Sequence, residues 1–417
     1  MKRLKSKGNA ELPKCRRPED VGLSSERLGR IKEAFRTRVE SGDIPGAVVL
    51  IARHGKLAFF EAFGYRDREK QARMNTDAIF RIASMTKPFT SVALMMLTEE
   101  GKVQIGYPVS QFLPEFKNLQ VGVEKKGDSG AARLELQPAK REITIHDLLR
   151  HTSGLTYGFF GASPVKTAYN DAKMLDPEQT NAEMVTKLSK LPLAYQPGTT
   201  WDYSMSTDVL GRVVEVVSGM SFDRFIAERI SQPLGLRVTE FSVNQKHADR
   251  VAEPQVDPST GKRPPIPDAL ARPKWFSGGG GLVSTAADYL RFCRMLLNGG
   301  ELDRVRLLSP KTIALMCSDH LPPGVAYDPM TLALFGAGAP TPEMGQGFGL
   351  GFAVRKEQGR NPLPGSVGDY YWGGAFGTAF WIDPQEQLIA ILMMQAPAQR
   401  VYYRHLMREL VYQAVIR

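Results

Sequence analysis

Cysteine is scarce, with three in 417 residues, and Cys15, Cys293 and Cys317 stand too far apart for a disulfide framework or a zinc-ligand spacing. Long apolar runs are missing as well. The best two, Ile44 to Ala52 and Leu388 to Met394, fall well short of the roughly 18 residues that cross a bilayer and read as buried strands. The basic opening MKRLKSKGNAELPKCRRPED has no apolar stretch behind it, so no Sec-type signal peptide is expected. These absences give the expectation of a reduced, cytoplasmic protein without membrane attachment. Familiar site patterns are absent too. There is no Gly-x-Ser-x-Gly elbow, no HExxH among the six histidines, and no glycine loop that closes on Lys-Ser/Thr. An α/β-hydrolase, a metalloenzyme and a nucleotide-binding protein are therefore unsupported, and neither a metal nor a cofactor is expected.

What is present fits an ordinary globular chain: 42% hydrophobic and 24% charged residues exclude disordered and low-complexity classes. The net charge of +10 raises nucleic-acid binding. Yet residues 1–20 alone hold seven Lys or Arg against three acids, and the remaining excess is scattered, with no basic stripe interleaved with aromatics. Solubility explains it better, so no nucleic-acid partner is expected.

Along the chain, Ser24-Ser25-Glu26-Arg27 opens a helix with Leu28, Ile31, Phe35 and Val39 at helical spacing. GAVVLIAR and KLAFFEAFGYRD read as strands joined by a two-residue turn at His54-Gly55. After Ala83-Ser84-Met85-Thr86-Lys87 comes PFTSVALMMLTEEG, apolar on nearly every face and hence a central buried helix. Between 115 and 280, polar loops such as GDSGAARLELQPAKRE alternate with helical pieces at 145–150, 181–188, 208–217 and 222–230. Another helix is expected at 286–297. GFGLGFAV, GTAFWID and LIAILMMQA read as three antiparallel strands, and a helix from about 399 to 416 ends the chain. The fold class expected is α/β of the α+β kind: an antiparallel sheet built from both terminal segments (20–114 and 281–417), flanked by helices. A mostly helical region, 115–280, is inserted in it, and residues 1–19 form a mobile basic tail. The active site belongs in the crevice between sheet and helical region.

Three motifs carry chemistry. The first is Ser-x-x-Lys, whose residues share a helix face so that a lysine amine can meet a serine hydroxyl. It occurs at Ser84–Lys87, Ser163–Lys166 and Ser259–Lys262. Ser259 lies in a Pro/Gly-rich loop with an intervening glycine that disfavours a helix. Ser163, followed by Pro164, is explained by helix capping. Ser84 opens the most buried helix, where the helix dipole favours charge on oxygen and burial disfavours charge on an amine. Taken alone, Ser84 and Lys87 fit equally a capping serine and a solvated lysine. The second motif, PGTTWDYSMSTDVLG, sets Tyr203 at a helix mouth, where its hydroxyl can reach a cleft; an aromatic closing the core is its simpler explanation. The third, Tyr371-Trp372-Gly373-Gly374-Ala375-Phe376-Gly377-Thr378, puts glycines in a strand, which suits close approach of a ligand to the backbone or a bulge.

Together and in this order, the motifs resemble the serine β-lactamase and penicillin-binding-protein superfamily, and within it the family VIII carboxylesterases, which share the class C β-lactamase fold. The resemblance runs from about residue 20 to 415 through FRIASMTKPFTSVALMMLTEEGK, ITIHDLLRHTSGL, PGTTWDYS, GGGGLVSTAADYLRFCRMLLNGG and WGGAFGTAFWIDP. Two departures from class C β-lactamases matter. Met205 stands where Tyr-x-Asn has its amide, and Trp372-Gly373-Gly374 replaces Lys-Thr-Gly, removing a cation and a hydroxyl suited to gripping a carboxylate. Family VIII esterases are similar to this chain in Trp-Gly-Gly and in the Tyr-Ser-x-x-x-Asp continuation to Asp208.

The resemblance implies a serine esterase acting on short-chain carboxylic esters through an acyl-enzyme on Ser84. Lys87 and Tyr203 would share the general-base role, with no choice made between them. The backbone N–H groups of Ser84 and Ala375 would form an oxyanion hole. Trp372, Gly373, Gly374, Tyr157 and Phe159 would bind substrate, with Phe160 from the same loop. A small ester is the expected partner; oligomeric state is left open. An acyltransferase of the same fold would use the same residues. A β-lactamase or D-alanyl peptidase is disfavoured by Met205 and Trp372, and a catalytically silent binding protein by the retained serine, lysine and tyrosine. His151 reads as structural rather than as a triad base.

Overall fold

The computed structural model describes residues 12–126 and 132–417. Its frame is an eight-stranded antiparallel sheet. In chain order the strands are β1 (Gly46–Arg53), β2 (Lys56–Asp67), β3 (Ala72–Arg73), β4 (Gln346–Phe348), β5 (Ala353–Arg355), β6 (Tyr370–Gly373), β7 (Ala379–Asp383) and β8 (Leu388–Met394). They lie side by side as β4-β5-β6-β7-β8-β1-β2-β3, so β8 from one end of the chain pairs with β1 from the other. The register of that seam sets Val49 opposite Leu392. The β1–β2 turn is the expected two-residue one, with positive φ at both His54 and Gly55.

Every residue of β1 is buried, because both faces of the sheet are covered. Val48, Leu50 and Ala52 point into the larger core with Ile389, Ile391 and Met393, packed with α2 (Lys87–Glu99) and α5 (Ala286–Leu297). Ala47, Val49 and Ile51 point the other way, into a second core with α1 (Ser25–Glu40) and α7 (Arg400–Tyr412). The alternation follows from the period-two strand geometry. Between the two sheet-forming ends of the chain lie the remaining helices. They include α3 (Pro164–Asp171), α4 (Ser206–Ser218) and α6 (Pro329–Phe335).

Several local expectations change. Of the expected polar loop from Gly127, residues 127–131 lie outside the described residues, and Ala132–Pro138 is a strand that pairs antiparallel with Gln120–Lys126; its mixed polar residues suit a ribbon with an open face. GFGLGFAV makes two strands, β4 and β5, because Gly351 turns the chain at φ 105°. Trp372 and Gly373 close a strand of their own, β6, and do not open β7. The 222–230 helix winds into a π-helical turn over Ile226–Ser231. α7 ends at Tyr412. Of the expected tail, residues 1–11 lie outside the described residues. The part from Pro13 onward is docked and is no free tail: Leu57 N–H donates to Pro13 O at 2.9 Å and Cys15 N–H to Leu57 O at 3.1 Å. Among the described residues no helix is long and apolar enough to cross a membrane, and no cluster of three or more His, Cys, Asp or Glu could hold a metal ion.

Candidate active site

Ser84 sits in a 3₁₀ turn, Ala83–Thr86, that runs into α2. Ala83 before it has φ +44°, a left-handed conformation that costs a non-glycine residue and turns the chain sharply at the helix entrance. Pro88 is tolerated in the first turn because its missing N–H has no intrahelical acceptor there. The strap 278–284 pins this entrance. Phe80 pairs with Ser284, Ile82 N–H donates to Leu282 O at 3.0 Å, and Leu282 N–H to Thr86 Oγ1 at 3.1 Å. Ser84 is half-buried and opens on a cavity of about 950 Å³.

Lys87, only 1% exposed, points beneath that opening. Its Nζ donates to Gly279 O at 2.8 Å and to Tyr157 Oη at 3.2 Å, and lies 4.3 Å from the centroid of the Tyr203 ring. No carboxylate pairs with it among the described residues. Asp208 is one link away: Oδ2 accepts from Tyr157 Oη at 3.2 Å, and Oδ1 accepts from Ser277 Oγ at 2.5 Å and Gly279 N–H at 3.0 Å. Burial pushes the Asp208 carboxyl up from its ordinary range while Lys87 pulls it down. Burial, then the Asp208 charge, holds the Tyr157 phenol well above its usual value, so Tyr157 stays protonated and donates. The glycine run is explained by this crowding. A Cβ on Gly279 would fall 2.4 Å from Asp208 Oδ2 and 2.8 Å from Tyr157 Oη.

Tyr203, at the mouth of α4, is buried but reaches the cavity, and Trp372 Nε1 donates to its Oη at 3.1 Å. Met205, where an amide would stand in a class C β-lactamase, is buried in the core. The β6–β7 connection closes the opposite wall. Gly374 N–H donates to Thr378 O at 2.8 Å and Gly377, at φ 118°, turns back to Gly374 O, which leaves Ala375 exposed at the tip. Thr378 Oγ1 donates to Ile82 O at 3.3 Å, holding this tip beside the Ser84 turn. A Cβ on Gly374 would lie 2.3 Å from that same Ile82 O, so only glycine fits. The backbone N–H groups of Ser84 and Ala375 are not taken up by other hydrogen bonds among the described residues.

The structure thus brings Ser84, Tyr203, Tyr157, Phe159, Trp372, Gly373 and Ala375 to one cavity, with Lys87 and Gly374 just behind its wall. Phe159, 52% exposed, stands at the mouth stacked on Tyr157. His151 is buried with Nδ1 accepting from Ser204 N–H at 3.2 Å, and burial, then Lys87, holds it well below its usual value and hence neutral. Phe335 of α6, facing Trp372 and Tyr203, and Ser277, the partner of Asp208, were not singled out from the sequence. Ser163 caps α3 by accepting from Lys166 N–H at 3.2 Å, and Ser259 bonds Asp257 in an exposed turn.

An antiparallel sheet flanked by helices, with a serine, lysine and tyrosine at a cleft beside its edge of short strands, defines a serine hydrolase fold of β-lactamase type. The family model described as Beta-lactamase matches residues 31–411, and the chain belongs to that family. It is 37% identical over 369 residues to Protein Rv1367c of Mycobacterium tuberculosis, covering 87% of this chain and 88% of that one. It is 30% identical over 387 residues to Esterase EstB of Burkholderia gladioli, covering 87% and 89%. Among solved structures it superposes on EstCE1, a hydrolase with promiscuous acyltransferase activity, with a TM-score of 0.76 at 28% identity, over 93% of this chain and 99% of the other.

Proposed function

We propose that this protein is a serine carboxylesterase of the family VIII type, hydrolysing short-chain carboxylic esters without a cofactor. The observation that carries the reading is a buried lysine amine, Lys87, bonded to a carbonyl and a phenol and, among the described residues, to no carboxylate, behind a serine that opens to an aromatic cavity. Ser84 Oγ attacks the ester carbonyl carbon, and its proton passes to the Lys87–Tyr203 pair. The tetrahedral oxyanion lies between the N–H groups of Ser84 and Ala375, each such donor being worth about 3 to 4 kcal/mol. Collapse expels the alkoxide, which takes the proton back. Water activated by the same pair then attacks the acyl-enzyme and frees the acid. Trp372 supports this scheme twice, by bounding the acyl side together with Phe335 and by orienting the Tyr203 hydroxyl.

The test is hydrolysis of p-nitrophenyl acetate, butyrate and octanoate by the wild type and by Ser84→Ala, with nitrocefin alongside. Ester turnover that falls with chain length and vanishes in Ser84→Ala, with little nitrocefin cleavage, is expected. Activity surviving in Ser84→Ala, or nitrocefin outrunning the esters, overturns the reading. Acyl transfer is a second reading, favoured by the described activity of EstCE1. Formation of a new ester with an added alcohol, at the expense of free acid, distinguishes it.

A further inference from the structure

Among the described residues, Arg404 of α7 is a cation without a carboxylate partner. Its guanidinium donates to Gly374 O and, at 3.2 Å, to Thr378 O. Its Nε is shut off from solvent and has no acceptor, and no Asp or Glu pairs with it among the described residues. Arg400, one turn earlier on the same helix, lines the same cavity and adds a second positive charge. Burial, then Arg400, pushes Arg404 down to about 10. Arg404 is half-buried and lines the cavity, so its charge is partly desolvated, and the desolvated side rests on neutral carbonyls. The turn it touches is already closed by its own bonds, Gly374 N–H to Thr378 O and Gly377 N–H to Gly374 O. Holding the turn therefore does not account for the charge.

The peptide it touches does. Gly374 O and Ala375 N–H are the two ends of one amide group. A cation bonded to the oxygen draws electron density towards it and makes the N–H a stronger donor, because linked hydrogen bonds polarise one another. The same charge lies one peptide away from where negative charge develops. The sequence makes room for this contact. A Cβ on Gly373 would fall 2.5 Å from Arg404 Cζ, so the guanidinium can lie against β6 only where Trp372 is followed by glycine. We propose that Arg404 is a positioning residue that holds and polarises the Gly374–Ala375 peptide so that the Ala375 N–H stabilises the oxyanion. This rests on the reading of Ala375 as an oxyanion donor given under Proposed function.

The experiment compares an ester with its thionoester, identical but for sulfur in place of the carbonyl oxygen, in wild type, Arg404→Met, Arg404→Lys and Gly373→Ala. Sulfur accepts hydrogen bonds poorly, so the preference for the oxygen ester reads the strength of the hole. Arg404→Met should lower kcat about tenfold or more with KM within about twofold, and shrink the ester-to-thionoester ratio by a similar factor, since a weakened donor costs less than a deleted one. Arg404→Lys should recover part of both. Gly373→Ala, which pushes the guanidinium away without removing it, should follow Arg404→Met. A fall in turnover that is equal for both substrates overturns the proposal and leaves Arg404 a brace for the turn. A loss confined to KM for esters that carry a carboxylate overturns it too and makes Arg404 a reader of substrate charge. Should Arg404→Met fail to fold, Arg404→Lys and Gly373→Ala give the same ratio. Labelling of Ser84 by a fluorophosphonate separates the two levels. An unlabelled, inactive wild type removes the esterase reading, whereas a labelled enzyme whose ratio Arg404→Met leaves unchanged removes only this inference.

Discussion

The same tetrapeptide pattern is used in two unlike ways, at Ser84–Lys87 and at Ser163–Lys166. Both lysines are buried, at 1% and 4% exposure, so burial does not separate them. Their partners do. Lys166 Nζ lies 3.1 Å from Asp328 Oδ2, a carboxylate that also accepts from Tyr195 Oη and caps α6 at Thr331 N–H. Ser163 spends its hydroxyl on capping α3. Lys87 has a carbonyl and a phenol for partners, and Ser84 opens on the cavity. The lesson lies in the partners. Lys166 is one half of a buried ion pair, whereas Lys87 bonds a carbonyl and a phenol and reaches the Asp208 carboxylate only through Tyr157.

The contrast can be broken in four ways. Lys87→Met should reduce ester turnover by about 10⁴-fold or more with little loss of stability, since members of one catalytic unit fail together; turnover rates and melting curves check it. Lys166→Met should do the reverse. Leaving Asp328 buried and unpaired costs about 3 to 5 kcal/mol, read by denaturant unfolding, while kcat of the folded fraction stays close to that of the wild type. Retained stability in that variant would dissolve the distinction.

Asp202 joins the two regions, since it precedes Tyr203 and accepts from Thr331 Oγ1 at 3.0 Å. Burial, then Asp328, raises it to about 7. The folded state thus binds more protons than the unfolded one between about pH 4 and 7, and stability falls as pH rises through that window. Asp202→Asn should melt above the wild type at pH 8, by about 1 to 2 kcal/mol after allowance for the lost Thr331 contact, with the gain vanishing towards pH 4. The smallest effect belongs to Ser163→Ala. Loss of the cap should cost about 1 kcal/mol in thermal unfolding and leave ester hydrolysis unchanged.

Much of the fold was legible because it is local. The helices at 181–188 and 286–297 match their periodic segments, and the His54-Gly55 turn matches its residue types. The pairing of 120–126 with 132–138 was missed although Val121 and Val123, and Leu134 and Leu136, alternate with polar residues: the register sets Leu134 opposite Glu124 and Val123 opposite Glu135, so the two apolar pairs do not share a face, and β-pairing there depends on the partner strand. β6 was missed because the strand boundary at Trp372–Gly373 is set by pairing with Phe380 and Ala379.

The ten residues that the resemblance put forward for catalysis, the oxyanion hole and substrate binding, Phe160 included, all fall at or just behind one cavity. Motif spacing by itself determined that Ser84 and Lys87 share one helical entrance and that Ser163 sits at a cap, because contacts three residues apart follow from helix geometry. Which lysine pairs with a carboxylate among the described residues, which phenol bonds Asp208, and which cation lies on the Gly374 carbonyl were decided only by the tertiary structure. Those contacts join Lys87 to Tyr157 and Gly279, Trp372 to Tyr203, and Arg404 to Gly374. Chain topology brings these groups together from distant positions, and no local periodicity encodes them.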